Sequence, residues 1–109
     1  MNNLTTPLIK ISNIIDDRVD NLVRTAIDEF HKQGVSTVIL SLSCIRGGFH
    51  APVFRMLNHM KSSGIRFDTF ASNFIMSAGI YIYAAGEKRL ADENAYFRFH
   101  RPGCMSNGI

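Results

Sequence analysis

The hydrophobic and polar positions along the chain follow two different periods, and together they predict alternating strands and helices. Apolar residues recur at helical spacing from Val19 to Phe30, after two aspartates that can cap a helix ending near Gly34. Pro52 can begin a second helix, with Gly64 at its end. Short runs rich in β-branched and aliphatic residues predict strands at residues 8–11, 36–42, 65–71, 88–91 and 95–100.

A third helix is predicted at residues 77–85, where the sequence is apolar nearly all round and is followed by Gly86. We therefore expect this helix to be buried on every side. Strands that alternate with helices over short connections imply βαβ units with right-handed crossovers. The predicted class is α/β with a mainly parallel sheet, and 109 residues are enough for a single domain spanning residues 1–109.

Charge and composition narrow the range of partners. The net charge is +3, from 12 Lys and Arg against 9 Asp and Glu, and the basic residues are scattered, so no nucleic-acid partner is expected. The longest apolar stretches are far shorter than a membrane span, so no membrane is expected either. Cys44 and Cys104 form no disulfide or zinc pattern, and no phosphate-binding loop occurs. We expect a cytoplasmic protein without a metal or cofactor.

Gly47 and Gly48 follow the second predicted strand directly. Paired glycines allow the backbone to turn with positive φ and to bring an amide close to a ligand. Such an amide can donate to an oxyanion hole, although an ordinary strand-to-helix turn explains the same pair.

Ser77 begins the apolar third helix, within Met76-Ser77-Ala78-Gly79. A hydroxyl at the positive end of a helix, followed by a free amide and small residues, resembles a nucleophile elbow, although Ile75 stands where that motif has glycine. A helix-capping serine is the alternative.

His100 ends the last predicted strand. Its near-neutral pKa suits it to accept a proton from a serine hydroxyl. A surface imidazole beside Arg98 and Arg101 is the alternative. A nucleophilic dyad of His100 with Cys104 is a further alternative, but a thiol in a loop is more often inert.

Taken together, these segments resemble the proteolytic subunit of the Clp protease, within the wider Clp/crotonase fold. The resemblance covers nearly all of the chain, from about Leu8 to Pro102. It is carried by the order and spacing of Ser43-Cys44-Ile45-Arg46-Gly47-Gly48, Met76-Ser77-Ala78-Gly79, Ala84-Ala85-Gly86 with Arg89-Leu90-Ala91, Asn94-Ala95, and Phe99-His100-Arg101-Pro102.

The resemblance implies a role for each of the candidate residues. Ser77 matches the nucleophile, His100 matches the general base, and the amides of Gly48 and Ala78 match the oxyanion hole. It further implies the repeated β-β-α and βαβ units of the Clp/crotonase fold, polypeptide substrates, self-association into rings, and an ATP-dependent unfoldase as partner.

The sequence also departs from the family's pattern. Clp-like proteases have an orienting aspartate well beyond the histidine, but no Asp follows Asp92 here. We therefore expect a domain incomplete at its C-terminus, with an apolar face left bare and with reduced activity. Arg46 and Arg101 also replace residues usual in the family.

Three functions remain open from the sequence. The first is a Clp-type serine endopeptidase acting through Ser77, in complete or degenerate form. The second is a non-catalytic Clp-like subunit or fragment that only assembles with active relatives. The third is a crotonase-type acyl-CoA enzyme, which shares the fold and the paired-amide oxyanion hole but needs no serine–histidine pair.

Overall fold

A computed structural model describes residues 5–99, in which strands and helices alternate. The strands are β1 (Leu8–Ile15), β2 (Thr37–Gly48), β3 (Arg66–Met76), β4 (Arg89–Ala91) and β5 (Tyr96–Arg98). The helices are α1 (Asp17–Lys32), α2 (His50–Ser62) and α3 (Gly79–Ala84). None of the helices in this part of the chain is long and apolar enough to cross a membrane.

The five strands form one sheet in which every pairing is parallel. The strand order is β1-β2-β3-β4, and β5 also pairs with β3. The two short strands share the outer edge of β3: β4 pairs with Thr69–Ala71, and β5 pairs with Phe74–Met76. The predicted α/β class with a mainly parallel sheet is therefore confirmed.

The core lies between one face of the sheet and the helices. Val38, Leu40 and Leu42 alternate with partly exposed residues along β2 and are fully buried. Val23 and Ile27 of α1 and Val53 and Met56 of α2 belong to the same apolar cluster. The opposite side of the sheet, which includes Leu8, Ile39, Phe70 and Leu90, is referred to below as the open face.

The first helix begins as the sequence predicts. The Asp16 carboxylate accepts a hydrogen bond of 3.0 Å from the amide of Val19, which satisfies one of the free amides of the first turn. Gly34 and Gly64 follow the ends of α1 and α2 with positive φ, as expected for glycines that end helices.

The strands β2 and β3 are longer than predicted because the sheet continues through irregular positions. Asn13, Cys44 and Asn73 have positive φ on three neighbouring strands, and the pairing register shifts beside each of them. These aligned bulges let the strands resume pairing beyond a polar interruption. Hydrophobic periodicity cannot reveal such an extension, because each bulge resets the alternation.

The prediction for the third helix is wrong in its bounds and its burial. The helix α3 contains only Gly79–Ala84, and its Tyr81 side chain is 44% exposed. Ser77 has a φ of 53°, which a right-handed helix does not allow, so the serine lies in the turn before α3. Only one side of α3, through Gly79 and Ile82, is fully buried.

Candidate active site

Ser77 occupies a sharp turn between β3 and α3. Its φ of 53° is unusual for a residue with a Cβ, and it turns the chain directly from strand into helix. The amide of Ser77 donates to the carbonyl of Arg98 over 2.8 Å, and its carbonyl accepts from the amide of Ile80 over 3.0 Å. Both backbone groups of the serine are therefore fixed, and the side chain is half-buried.

Gly47 lies directly beside Ser77. A Cβ added to Gly47 would be 3.6 Å from the Cβ of Ser77, and Gly47 has a φ of 138°. The end of β2 therefore reaches the turn that carries the serine, although the two residues are far apart in the sequence. This proximity is a property of the parallel pairing of β2 with β3, and local sequence could not have shown it.

Gly48 is held in place by close packing on its other side. A Cβ at Gly48 would lie 2.8 Å from the Cβ of Ile15 and 2.9 Å from its carbonyl oxygen, which is too close for any side chain. The next amide, that of Phe49, donates to the same Ile15 carbonyl over 3.1 Å. Glycine at this position thus lets β1 and β2 meet tightly where the chain enters α2.

The amide of Ala78 has the geometry expected of an available donor. Within residues 5–99, no acceptor is hydrogen-bonded to it, and α3 has no side-chain cap. A Cβ at Gly79 would lie 2.5 Å from Cγ2 of Ile45, so only glycine lets α3 approach β2 this closely. That close contact fixes the start of the helix next to the end of β2.

His100 lies outside the described residues. The strand that precedes it in the sequence is β5, whose Arg98 carbonyl accepts the hydrogen bond from the Ser77 amide. The rings of Tyr83 and Phe97, 4.8 Å apart, and of Tyr81 and Phe99, 5.9 Å apart, hold β5 against α3.

Two aspartates that precede His100 are engaged elsewhere. Asp68 accepts from the Arg66 guanidinium and from the amide of Lys88. Partial burial raises its pKa, but these two donors outweigh burial and hold the pKa of Asp68 below its usual value. Asp68 lies near the opposite end of β3, roughly 25 Å from Ser77 along an extended strand. Asp92 accepts from the amide of Asn94.

The described residues contain no cluster of three or more His, Cys, Asp or Glu side chains that could hold a metal ion. An ionic cluster joins α1 to α2, where the buried carboxylate of Asp20 bonds Arg24 of its own helix and Arg55 of α2, each over 2.7 Å. Burial raises the pKa of Asp20, but the two guanidinium groups more than compensate and hold the pKa below its usual value.

Comparison with solved structures identifies this arrangement of strands and helices. A ClpP1 mutant from Listeria monocytogenes superposes with a TM-score of 0.82 at 18% sequence identity. The chain has the ClpP fold. The ClpP protease catalytic domain from Plasmodium falciparum superposes with a TM-score of 0.80 at 14% identity. The expected resemblance to a Clp-protease-like fold is therefore confirmed at the level of structure.

The match covers most of this chain but only part of its neighbours. It includes 89% of this chain and 57% of the Listeria structure, and 87% of this chain and 55% of the Plasmodium structure. The chain thus spans slightly more than half the length of the ClpP structures. No model of a protein family matches the sequence, and no curated protein matches it either.

Sequence reasoning missed three features of this site. Gly47, rather than Gly48, approaches the serine, and Arg46 and Arg98 lie on the strands at either side of β3. The Arg98 carbonyl also fixes the Ser77 amide. The sequence signal for the arginines was their position, since Arg46 immediately precedes Gly47 and Arg98 lies two residues before His100. Only the pairing of strands shows that they flank one turn.

Proposed function

We propose that the chain is a serine endopeptidase subunit of the Clp type, acting on polypeptides by acyl transfer through Ser77. The observation that carries the proposal is the turn at Ser77, with its left-handed backbone, its fixed amide and the close approach of Gly47. A nucleophile displayed on a strained strand-to-helix turn is the arrangement of a nucleophile elbow.

The amides of Ala78 and Gly48 are proposed as the oxyanion hole. Support comes from the free amide of Ala78, which follows the serine as the motif requires, and from the tight packing that fixes Gly48. Removing one such donor typically costs about 3 to 4 kcal/mol of transition-state stabilisation. A substrate carbonyl bound between β2 and the start of α3 would receive both hydrogen bonds.

His100 is proposed as the general base. Its support is connectivity: two residues of chain reach at most about 7 Å, and they begin at Arg98, which is bonded to Ser77. The imidazole would take the hydroxyl proton during attack and return it to the leaving amine. Residues 101–109 hold no acidic side chain, so we expect these 109 residues, assayed by themselves, to turn over slowly, because a serine–histidine pair without a third triad member generally works several powers of ten more slowly.

A fluorophosphonate probe tests the proposal directly, because it labels an activated serine even where turnover is slow. We expect the wild-type chain to be labelled at Ser77, identified by mass spectrometry of the labelled peptide. Ser77→Ala should abolish labelling, and His100→Ala should slow it at least tenfold. Ser62→Ala, at an exposed helix-end hydroxyl, is the matched control and should be labelled like the wild type.

Absence of labelling on a folded chain would contradict the peptidase proposal. In that case, binding of a coenzyme A thioester would favour the acyl-CoA enzyme. Assembly with an active Clp subunit would instead favour the non-catalytic subunit. The exposed apolar side chains of β4 and β5, Leu90, Tyr96 and Phe97, support the latter alternative, since bare apolar surface usually contacts a partner.

We further propose that the chain self-associates into rings like those of Clp proteolytic subunits. We also propose that it works in the cytoplasm with an ATP-dependent unfoldase. The bare apolar residues at the sheet edge support self-association. The unfoldase and the location rest on the ClpP fold alone.

A further inference from the structure

Arg46 and Arg98 lie on the open face of the sheet, one on each side of β3. Ile45 pairs with Ile75, and both are fully buried in the core, so the next residues, Arg46 and Met76, face the open side. Met76 in turn pairs with Arg98 of β5. The two arginines therefore flank Met76 in a row across three strands, with their Cα atoms roughly 10 Å apart.

Both guanidinium groups are unpaired within the described chain. No carboxylate among residues 5–99 lies within 4.0 Å of either one, whereas Arg24, Arg55 and Arg66 each form an ion pair. Both side chains are exposed. Two like charges at this spacing repel each other, and an anionic group placed between them would relieve the repulsion.

The row of arginines adjoins the proposed nucleophile on both sides. Arg46 immediately precedes Gly47, where an added Cβ would be in van der Waals contact with Ser77, and the Arg98 carbonyl accepts a hydrogen bond from the Ser77 amide. Met76, at the centre of the row, immediately precedes Ser77. A chain bound across this end of the sheet would therefore place its side chains near both positive charges.

We propose that this site selects polypeptide segments that carry acidic side chains next to the bond to be cleaved. This inference rests on the proposed function for its chemistry, but it also predicts binding that does not need catalysis. Arginine pairs readily with carboxylates through two parallel hydrogen bonds, and charge complementarity of this kind mainly determines specificity. The neutral and basic counterparts of such segments lack the favourable interaction and leave the arginines unpaired.

The expected size of the preference follows from the exposure of both arginines. An exposed ion pair typically changes an equilibrium about 1.5- to 5-fold, so two of them together predict a preference of roughly 2- to 25-fold for Glu over Gln. Salt should weaken the preference, since the screening length falls from about 10 Å at 0.1 M to about 3 Å at 1 M ionic strength.

The test uses the full 109-residue chain and fluorescent peptides that differ only at the residues flanking the cleaved bond, with Glu, Gln or Lys. A fourth peptide carries the two Glu residues at the end that is far from the cleaved bond. Binding is measured by fluorescence anisotropy on Ser77→Ala, and hydrolysis is measured as kcat/KM on the wild type. Binding is repeated with Arg46→Gln and Arg98→Gln added together to Ser77→Ala.

The matched control is Lys32→Gln with Lys61→Gln in the same background. It removes the same charge from exposed positions near the C-terminal ends of α1 and α2, which lead into the beginnings of β2 and β3, whereas Arg46 and Arg98 lie toward the other ends of the strands. We expect the Glu peptide to bind about 2- to 25-fold more tightly than the Gln peptide, a preference that the arginine substitutions abolish and the lysine substitutions retain.

Three outcomes would overturn the inference, and the first two are equal binding of the Glu and Gln peptides and equal loss of the preference in both double substitutions. The third is that the fourth peptide binds as tightly as the peptide with Glu beside the cleaved bond, because the chain would then respond only to the overall charge of the peptide. These results are distinct from failure of the proposed function. If the chain prefers the Glu peptide but is not labelled at Ser77 by the fluorophosphonate, the arginine site for acidic segments is supported and the peptidase mechanism is contradicted.

Discussion

Four residues other than glycine adopt positive φ within residues 5–99: Asn13, Cys44, Asn73 and Ser77. Asparagine tolerates this conformation better than most residues, because its side chain can bond locally. Asn73 also donates across to the hydroxyl of Ser43 on β2 over 2.8 Å. Cys44 lacks the tolerance of asparagine, and its sulfur only accepts a weak 3.8 Å contact from the same hydroxyl, so the strain at its bulge is the least offset of the three bulges.

Replacing Cys44 with glycine should therefore stabilise the fold. Glycine removes the steric cost of a Cβ at a φ of 55°, about 1 to 2 kcal/mol, and loses part of this through greater freedom in the unfolded chain. We expect a net gain of roughly 0.5 to 1 kcal/mol in the free energy of urea unfolding. Cys44→Ala is the control, since it removes the thiol but keeps the Cβ. A gain of equal size in both variants would attribute the effect to the thiol.

At the scale of the elements, an ionic cluster joins α1 to α2. Asp20 of α1 is 1% exposed and bonds Arg24 on its own helix and Arg55 on α2, while Arg55 also pairs with Asp17. The helix α2 begins one residue after Phe49, whose amide is bonded to Ile15. The cluster therefore helps to hold α2 against the rest of the fold where the chain leaves Gly48.

Acid should weaken this junction through Asp20. The folded chain holds the pKa of Asp20 below the ordinary value of 3.8, so its ion pairs stabilise the fold above about pH 5. This contribution is lost as the pH falls through 3.8 and below it. Asp20→Asn should lower the free energy of unfolding at pH 7 by about 2 to 4 kcal/mol, because a buried ion pair is broken.

Urea unfolding of the wild type and Asp20→Asn between pH 7 and pH 3 measures both effects. The difference between the two proteins should shrink as the pH falls. Asp28→Asn is the control, since Asp28 is exposed and contacts only His59 among the described residues. A difference that stays constant down to pH 3 would show that ionisation of Asp20 is not the cause.

At the scale of the whole molecule, the outer edge of the sheet is apolar and bare. The side chains of Leu90 and Tyr96 are 54% and 56% exposed, and a cleft on the open face is lined by Leu8, Ile39 and Phe70 with Leu90. Apolar surface of this kind, next to short edge strands with unpaired backbone groups, favours association.

We therefore expect self-association that depends on this edge. Leu90→Lys combined with Tyr96→Lys should shift the chain toward monomer, by at least tenfold in the association constant, measured by analytical ultracentrifugation over a range of concentrations. Leu22→Lys combined with Phe54→Lys is the control, since these side chains on α1 and α2 are 59% and 50% exposed. If both pairs of substitutions act alike, association is not localised at the β4 and β5 edge.

The sequence predicted most of the elements and the ends of α1 and α2, but not the bounds of β2, β3 and α3. Local residue preferences and hydrophobic periodicity were sufficient to predict the Asp16 cap, the glycines after α1 and α2, and the parallel sheet. The extension of β2 and β3 and the shortening of α3 could not be predicted in this way. Each depends on a residue with positive φ, and a sequence pattern does not show when the surrounding packing imposes such a conformation.

By itself, the sequence determined the order of strands and helices, the resemblance to the Clp fold, and the candidate residues Gly48, Ser77, Ala78 and His100. Only the tertiary structure decided which of the described residues meet. Parallel pairing brings the ends of β2, β3 and β5 together, so that Gly47 approaches Ser77 and two arginines flank the same turn. The reason is physical: contacts between distant residues depend on strand register and on the space that glycines leave, and neither is encoded in any single segment.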